Sequence, residues 1–305
     1  MAETTHLALG ERAARPLANT TKTPPQMLAI TPRWLISFLP WVPIEAGTYR
    51  VNRVIEAAAE LECNPHEEID LPENFVDYQE KPREYPLQAV TTIVDVNTRV
   101  SDLYRSPYDQ IREQLRLTIE KVKERQEGEI INNAEYGLLT NAAPSMRVKT
   151  RKGSPTPDDF DELIARVWKE PAFFFAHPLA IAAFGRECTY RGVPPPTVTL
   201  FGSPFLTWRG IPIVPTDKLY VNGGKTNVLL MRVGDKKQGV VGLFQPGLPG
   251  EVSPSLSVRF MGISRRAIAS YLVSLYCSTA ILIDDALGVL ENVEVGNYHE
   301  YKKDS

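Results

Sequence analysis

The sequence predicts an α+β fold, and three observations support this prediction. A long helical pattern of apolar residues follows Ser106, and many short β-rich segments separated by turn residues follow Thr197. An uncharged segment at 267–283 has the alternation of a long strand. With 305 residues, 43% of them hydrophobic, the chain can bury a sizeable core in one large domain or two.

The composition narrows the class of protein. The formal net charge is −3 and the pI is near 5.9, whereas nucleic-acid-binding proteins usually carry a basic patch. No nucleic-acid partner is therefore expected. Cys63, Cys188 and Cys277 lie far apart and form no CxxC pair. They favour buried free thiols in the reducing cytoplasm over a disulfide framework. The first thirty residues contain no continuous apolar segment typical of a signal peptide.

Residues 1–46 are interpreted as an N-terminal arm followed by a docking helix. The first thirty residues are rich in Thr, Ala and Pro and show no sustained period. Thr31-Pro32 has the pattern of a helix cap followed by proline and predicts a short turn over RWLISFL, which Pro40 ends. The aromatic residues of this turn either pack on the chain's own core or dock on another chain.

Residues 47–98 predict an extended β-hairpin. Its two arms are TYRVNRV and the segment from Ala89 to Val100, in which every second residue is Val or Thr. Between the arms, residues 56–84 contain ten acidic and two basic side chains, a net charge of −8 without His66. Such a segment cannot bury a core of its own. The hairpin is therefore either a partner surface or a solvated surface loop.

The longest predicted helix, here called the spine helix, covers Ser106 to Asn132. Ser106 is the predicted N-cap and Pro107 the first helical residue. About 26 residues would make a rod roughly 39 Å long, on which other elements would lie. The apolar stripe of this rod comprises Ile111, Leu115, Thr118, Ile119 and Val122, and its polar side Glu113, Arg116, Glu120, Lys123, Glu124 and Arg125.

The region from Asn133 to Pro155 is interpreted as a polar connection. Thr156-Pro157 is a further cap-proline pattern and predicts a short amphipathic helix that ends near Pro171. Phe173, Phe174 and Phe175 are predicted core residues. A further helix is predicted, which Pro178 opens and Gly192 ends.

Gly192 to Pro196 predicts a stiff, polyproline-like loop, followed by short strands up to Arg259. The segment 267–283 is predicted as a long buried strand, with a buried core helix as the alternative. It is short for a bilayer and carries six hydroxyl side chains, so a membrane helix is disfavoured and no membrane partner is expected. Asp284 to Val295 predicts a turn and one further strand.

The sequence contains no recognisable enzyme motif. Gly224-Lys225-Thr226 lacks the earlier glycine of a phosphate-binding loop because position 219 is leucine, so a β-turn is predicted. No GxSxG, HExxH or paired Cys/His spacing occurs, and the four histidines are dispersed. Asp284-Asp285 suits a turn better than catalysis. We therefore predict no catalytic, cofactor-binding or metal-binding residues and no enzyme activity.

Four segments resemble the shell proteins of the second encapsulin family, in its cysteine-desulfurase-associated branch (family 2A). They are TPRWLISFLPWVPIEAGTYRVNRV, TRVSDLYRSPYDQIREQLRLTIEKVKERQE, AFGRECTYRGVPPPTV and GVVGLFQPGLPGE. The resemblance extends over essentially the whole chain and is weakest in the acidic insert at about 56–75. It implies the HK97 fold of phage major capsid proteins, with an N-terminal arm (1–46), an E-loop (47–98), a P-domain (99–175 with 285–300) and an A-domain (176–284).

The resemblance implies a self-assembling shell protein rather than an enzyme. Sixty copies would close as an icosahedral nanocompartment in the cytoplasm. The enclosed cargo would be a cysteine desulfurase, whose pyridoxal phosphate would belong to the cargo and not to this chain. The compartment would then serve sulfur metabolism or storage. In the family the hairpin crosses a neighbouring subunit and the arm wraps another.

The resemblance also gives a hypothesis for the proline-stiffened loop. In the family the tip of the second lobe surrounds the fivefold axis. The pore-lining residues here would be Tyr190, Arg191, Gly192, Val193, Pro194, Pro195 and Pro196. A stiff loop keeps an aperture open at little entropic cost, whereas the alternative is a tight turn buried at a subunit contact. For the whole chain, a phage capsid protein and a membrane-associated protein stay open as alternatives.

Overall fold

The computed structural model describes residues 31–52, 54, 73–75, 77–97 and 110–299. The predicted arm, most of the acidic segment and the predicted cap at Ser106 lie outside the described residues. The helices are α1 (Trp34–Phe38), α2 (Gln110–Asn132), α3 (Leu138–Asn141), α4 (Pro157–Arg166) and α5 (Pro178–Tyr190), with 3-10 turns at Pro144–Met146 and Asp284–Ala286. Helix α2 is the spine helix.

A seven-stranded mixed sheet forms one half of the molecule. Its strands are β5 (Arg147–Lys149), β6 (Phe173–Ala176), β7 (Thr197–Leu200), β8 (Ser203–Trp208), β9 (Ile211–Pro215), β10 (Lys225–Met231) and β15 (Leu287–Glu294), in the order β5-β15-β10-β6-β9-β8-β7. Helices α4 and α5 pack on it through Phe160 and Phe184, whose ring centroids lie 4.0 Å apart. Phe160 also contacts Phe174 of β6, at 4.8 Å. The structure confirms the two helices predicted after Thr156 and from Pro178. It also confirms the predicted burial of Phe173, Phe174 and Phe175.

A six-stranded sheet surrounds the long strand β14. Its strands are β1 (Trp41–Pro43), β4 (Gln88–Asn97), β11 (Val240–Phe244), β12 (Glu251–Ser253), β13 (Leu256–Ile263) and β14 (Ile268–Ile281), in the order β1-β11-β14-β13-β12, with β4 also paired to β14. The spine helix lies across β4 and β14. Its Val122 packs in one buried cluster with Val94 and Val273, and Ile111, Leu115 and Ile119 of the predicted apolar stripe lie against that cluster. The long strand predicted at 267–283 is confirmed.

The expected pairing of the two extended arms is corrected by the structure. Strand β2 (Thr48–Val51) pairs with β3 (Arg83–Pro86), and one bridge between Val54 and Tyr78 extends this hairpin. Strand β4, the other predicted arm, instead pairs antiparallel with β14 along its whole length. The Val/Thr alternation gives β4 one apolar face, which the spine helix covers. Pairing with β14 therefore buries more apolar surface of β4 than pairing with β2 would.

Two further expectations about local structure are corrected. Thr31 does not cap α1, because the N-cap position is Arg33, which has a φ of 50° and makes no side-chain cap. The region from Asn133 to Pro155 is more than a polar connection, since it contains α3, a 3-10 turn and β5. Several of its apolar side chains, including Leu138 and Val148, are buried in the two main cores.

The two sheets do not divide the chain into consecutive blocks. Strands β5 and β15, from the predicted 99–175 and 285–300 unit, share a sheet with β7, β8 and β9 of the predicted 176–284 unit. Strand β14 of the second unit packs on the spine helix of the first. The predicted boundary at 175/176 therefore differs from the boundary between the sheets, and the division into domains stays a prediction.

Candidate functional site

The loop predicted to line a pore begins where α5 ends. Gly192 has a φ of 72°, a conformation that glycine adopts without a steric penalty. The Gly192 N–H donates to the Thr189 carbonyl at 3.0 Å, and the Val193 N–H donates to the Cys188 carbonyl at 2.9 Å. These two bonds form a Schellman motif, which fixes the direction in which the chain leaves the helix.

The far end of the same loop is also fixed. The Pro196 carbonyl accepts hydrogen bonds from the Thr207 N–H at 2.8 Å and the Thr207 hydroxyl at 3.1 Å. Between these anchors, three consecutive prolines restrict the backbone. The loop lies at the surface, with Tyr190 61% and Val193 51% exposed. The structure thus brings all seven predicted residues into one exposed, firmly anchored turn.

Charged and aromatic neighbours hold the base of this loop. The Arg191 guanidinium lies 3.1 Å from Asp158 of α4 and 3.8 Å from Glu187 of α5. The Tyr190 ring stacks on the imidazole of His299, with centroids 4.1 Å apart and planes 6° from parallel. The loop base is therefore tied both to α4 and to the end of the described chain.

A second candidate surface lies where the N-terminal segment meets the spine helix, and we call it the glutamate ladder (Glu120, Glu124 and Glu127). Glu124 accepts hydrogen bonds from the Thr31 N–H at 3.0 Å and the Thr31 hydroxyl at 3.1 Å. Arg33 lies 2.7 Å from Glu120, and the Leu35 N–H donates to Glu127 at 3.2 Å. The ladder thereby holds the segment that leads from the predicted arm into the core.

The lower part of the ladder is buried. Lys218 lies 3.0 Å from Glu124, and both side chains are nearly inaccessible to solvent. Burial opposes the charged form of Lys218, but hydrogen bonds to Asp217 and Glu124 outweigh it and raise its pKa. Glu127 is 1% exposed, and its burial raises its pKa from 4.5 to about 7.

The sequence analysis placed Glu124 on the polar side of the spine helix and gave no indication that it is buried. It also did not single out Glu127. The available signal was spacing, since Glu120, Glu124 and Glu127 recur at four and three residues and so share one helix face. The burial of Glu124 could not be read from the sequence, because it depends on contacts with Thr31 and Lys218, about ninety residues away on either side.

An aromatic cluster connects the two candidate surfaces. Strands β7 and β8 are joined by Phe201-Gly202, both with positive φ, as in a two-residue hairpin turn. The Phe201 ring contacts Phe38 of α1 at 5.3 Å and Trp34 at 6.3 Å. The docking helix predicted from its aromatic residues thus packs on the chain's own core, the first of the two alternatives considered.

The Gly224-Lys225-Thr226 and Asp284-Asp285 sequences lie in turns, as predicted. Asn222 and Lys225 exchange backbone hydrogen bonds across Gly223-Gly224, so the GKT sequence forms the predicted turn. Asp285 lies in a 3-10 turn and pairs with Arg232 at 2.6 Å. The described residues contain no cluster of three or more His, Cys, Asp or Glu side chains placed to hold a metal ion. Among the described helices, none has the length and apolar character needed to cross a membrane.

Comparison with known proteins agrees with these features. Residues 45–297 match the family model described as "Type 2A encapsulin shell protein SrpI-like". The chain is 66% identical over 297 residues to the type 2A encapsulin shell protein SrpI of Synechococcus elongatus, covering 97% of each chain. It is 61% identical to a type 2A encapsulin shell protein of Mycolicibacterium paratuberculosis, again over 97% of each.

Solved structures give the same result. The chain superposes on the subunit of the holo-SrpI encapsulin complex of Synechococcus elongatus with a TM-score of 0.85 and 64% identity, covering 97% of this chain and all of that one. The capsid of a GTA particle superposes with a TM-score of 0.65 at 13% identity, over 95% of this chain and 99% of that one, which supports the fold alone. The predicted α+β, HK97-like capsid fold is thus confirmed, and the chain belongs to the type 2A encapsulin shell protein family.

Proposed function

We infer that this chain is the subunit of a closed protein cage, an icosahedral shell of about sixty copies. The observation that carries this proposal is the superposition on the holo-SrpI encapsulin subunit over 97% of the chain at 64% identity. At that identity the surfaces that join subunits are expected to be retained along with the fold.

Surfaces of the single subunit support assembly independently. On the β2–β3 hairpin, Phe75 is 79% and Tyr78 58% exposed, and Val54 is also exposed. An isolated two-stranded hairpin is marginally stable in water, and exposed apolar side chains on it are typical of a subunit contact. Closed symmetric assembly is the usual way in which soluble chains cover such surfaces.

Within the cage, residues 190–196 are proposed to line the pore at the fivefold axis. The loop is exposed, stiffened by three prolines and hydrogen-bonded at both ends, as an aperture of constant width requires. Electron cryomicroscopy of the assembled shell tests this assignment. Residues 190–196 should surround a symmetry axis, and a position far from every axis would refute the assignment.

The proposed cargo is a cysteine desulfurase, and the proposed location is the cytoplasm. This part rests on the resemblance of the four sequence segments to the desulfurase-associated branch of the family. The pyridoxal phosphate would be bound by the cargo, and this chain would contribute enclosure rather than catalysis. The cage would then act in sulfur metabolism or storage.

Negative-stain microscopy of the protein purified from its native host, with mass spectrometry of co-purifying proteins, tests both the closed shell and the identity of the cargo. The proposal predicts uniform closed particles and a stoichiometrically enriched pyridoxal-phosphate-dependent desulfurase. Closed particles with a different enriched enzyme would refute the cargo and leave the shell. Particles attached to portal and tail proteins would instead indicate a phage capsid.

A further inference from the structure

The glutamate ladder carries more negative charge than the cations beside it can neutralise. Arg33 lies 2.7 Å from Glu120 and 3.9 Å from Glu124. Lys218 lies 3.0 Å from Glu124 and 2.7 Å from Asp217. These two cations are therefore shared by three carboxylates, and the third glutamate of the ladder adds a fourth carboxyl group.

That third glutamate, Glu127, is buried without a cation of its own. It is 1% exposed and accepts a hydrogen bond from the Leu35 N–H at 3.2 Å, but in the described part of the chain it makes no ion pair. A carboxylate that is taken out of water without a cation is strongly disfavoured against its neutral form. The contacts therefore favour a protonated Glu127, and burial accordingly raises its pKa to about 7.

The element that covers Glu127 is short. Leu35 belongs to α1, which has five residues and no side-chain hydrogen bond at its N-cap. The N-cap residue, Arg33, has a φ of 50°, a conformation that costs a residue with a Cβ about 1 kcal/mol. A helix of this length persists only through its tertiary contacts. Leu35 and Leu39 supply apolar contacts with the core, and the bond to Glu127 adds a polar one.

The charged and titratable groups that face Glu127 come from three elements. Lys218 favours its ionisation, whereas Asp217 and Glu124 oppose it. Arg33 is the one charged residue of the segment 31–39, and it is engaged higher on the ladder. The full set comprises Glu120 and Glu124 of α2, Arg33 of the N-terminal segment, and Asp217, Lys218 and Tyr220 of the connection between β9 and β10.

We propose that the glutamate ladder is a proton-dependent clasp on the segment 31–39, which it holds firmly while Glu127 is protonated and less firmly once Glu127 is ionised. The clasp itself needs only the contacts described above. Its consequence for a cage rests on the proposed function. Because the segment leads into the predicted arm, contacts of that arm with a second copy of the chain would loosen as the pH rises.

Hydrogen exchange of the purified, full-length protein at pH 6.0 and pH 8.5, corrected for intrinsic exchange rates, tests the clasp. Peptides covering 33–41 report the Leu39 N–H, which is bonded to the Leu35 carbonyl at 2.9 Å. Opening of the segment returns the Glu127 carboxyl from a pKa of about 7 to 4.5, so exchange should be about tenfold faster at pH 8.5. Glu127→Gln, which does not ionise, should remove this difference and keep exchange slow at both pH values.

Ile36→Ala is the matched control, because Ile36 packs against the core from the same helix and carries no charge. It should speed exchange by the same factor at both pH values and so keep the wild-type ratio. Equal corrected exchange of wild type at both pH values would overturn the clasp, as would an unchanged ratio in Glu127→Gln. Sedimentation of the same samples separates the two proposals, since a chain that forms no particles at either pH would refute the cage and leave the clasp to the exchange result.

Discussion

Replacing Glu127 by glutamine should change how the stability of the protein depends on pH. The buried Glu127 carboxyl has a pKa of about 7, against 4.5 when it is solvated. A raised pKa in the folded state means that folding favours the protonated form. The stability contributed by protonation is therefore complete below pH 4.5 and is lost as the pH rises through 7.

The magnitude follows from this difference in pKa. A difference of about 2.5 between the two values corresponds to about 3 kcal/mol at pH 8. Glutamine keeps the shape and an oxygen that can accept the Leu35 N–H, but it does not ionise. The stability difference between variant and wild type should therefore shift by about 3 kcal/mol in favour of the variant between pH 4.5 and pH 8.

Differential scanning calorimetry at pH 4.5 and pH 8 measures this shift. For a chain of this length, about 3 kcal/mol corresponds to roughly 5 °C in Tm. Glu120→Gln is the matched control on the same ladder, because Glu120 is partly exposed and pairs with Arg33 at 2.7 Å. Losing this partly exposed ion pair should cost about 1 kcal/mol or less, which is too little to reproduce a shift of about 3 kcal/mol. A Tm difference between Glu127→Gln and wild type that is the same at both pH values would refute the reasoning.

Four further predictions concern other parts of the chain. Thr156→Ala removes a capping box with Asp159 and should cost about 0.5–2 kcal/mol by calorimetry, whereas Thr156→Ser should cost less. Gly192→Ala should lower Tm and loosen the loop by hydrogen exchange, because φ is 72° there, and Gly192→Asn should be milder. Burial raises the thiol pKa of Cys188 to about 11 and of Cys277 to about 12, so at pH 7.5 neither should react with iodoacetamide until the protein is denatured. Deleting residues 57–70 should leave particle formation intact, and loss of particles would show that the acidic segment is structural.

The sequence was most informative where local rules act alone. Thr156-Pro157 was predicted to cap a helix, and Thr156 does so through a reciprocal pair of hydrogen bonds with Asp159. The same pattern at Thr31-Pro32 was misleading, because Thr31 donates instead to Glu124 on the distant spine helix. The two threonines also differ in local sequence, because the residue three positions later is Asp159 in one case, which completes the capping box, and Trp34 in the other.

Long-range partners account for the other misses. The Val/Thr alternation correctly predicted that residues 89–97 form a strand, but alternation does not show which strand is its neighbour. Likewise, the spacing of Glu124 and Glu127 places them on one helix face without showing that Lys218 and Leu35 cover them. The proline-stiffened turn between α5 and β7 could be predicted because it is a local feature, whereas its position in a pore stays a prediction.

Sedimentation velocity of the purified, full-length protein without detergent tests the central claim most directly. With a chain mass of 34.1 kDa, about sixty copies give a particle of about 2 MDa. The account predicts one fast, uniform boundary of that mass across a wide range of protein concentration. A stable, folded single subunit under every condition tried would contradict it.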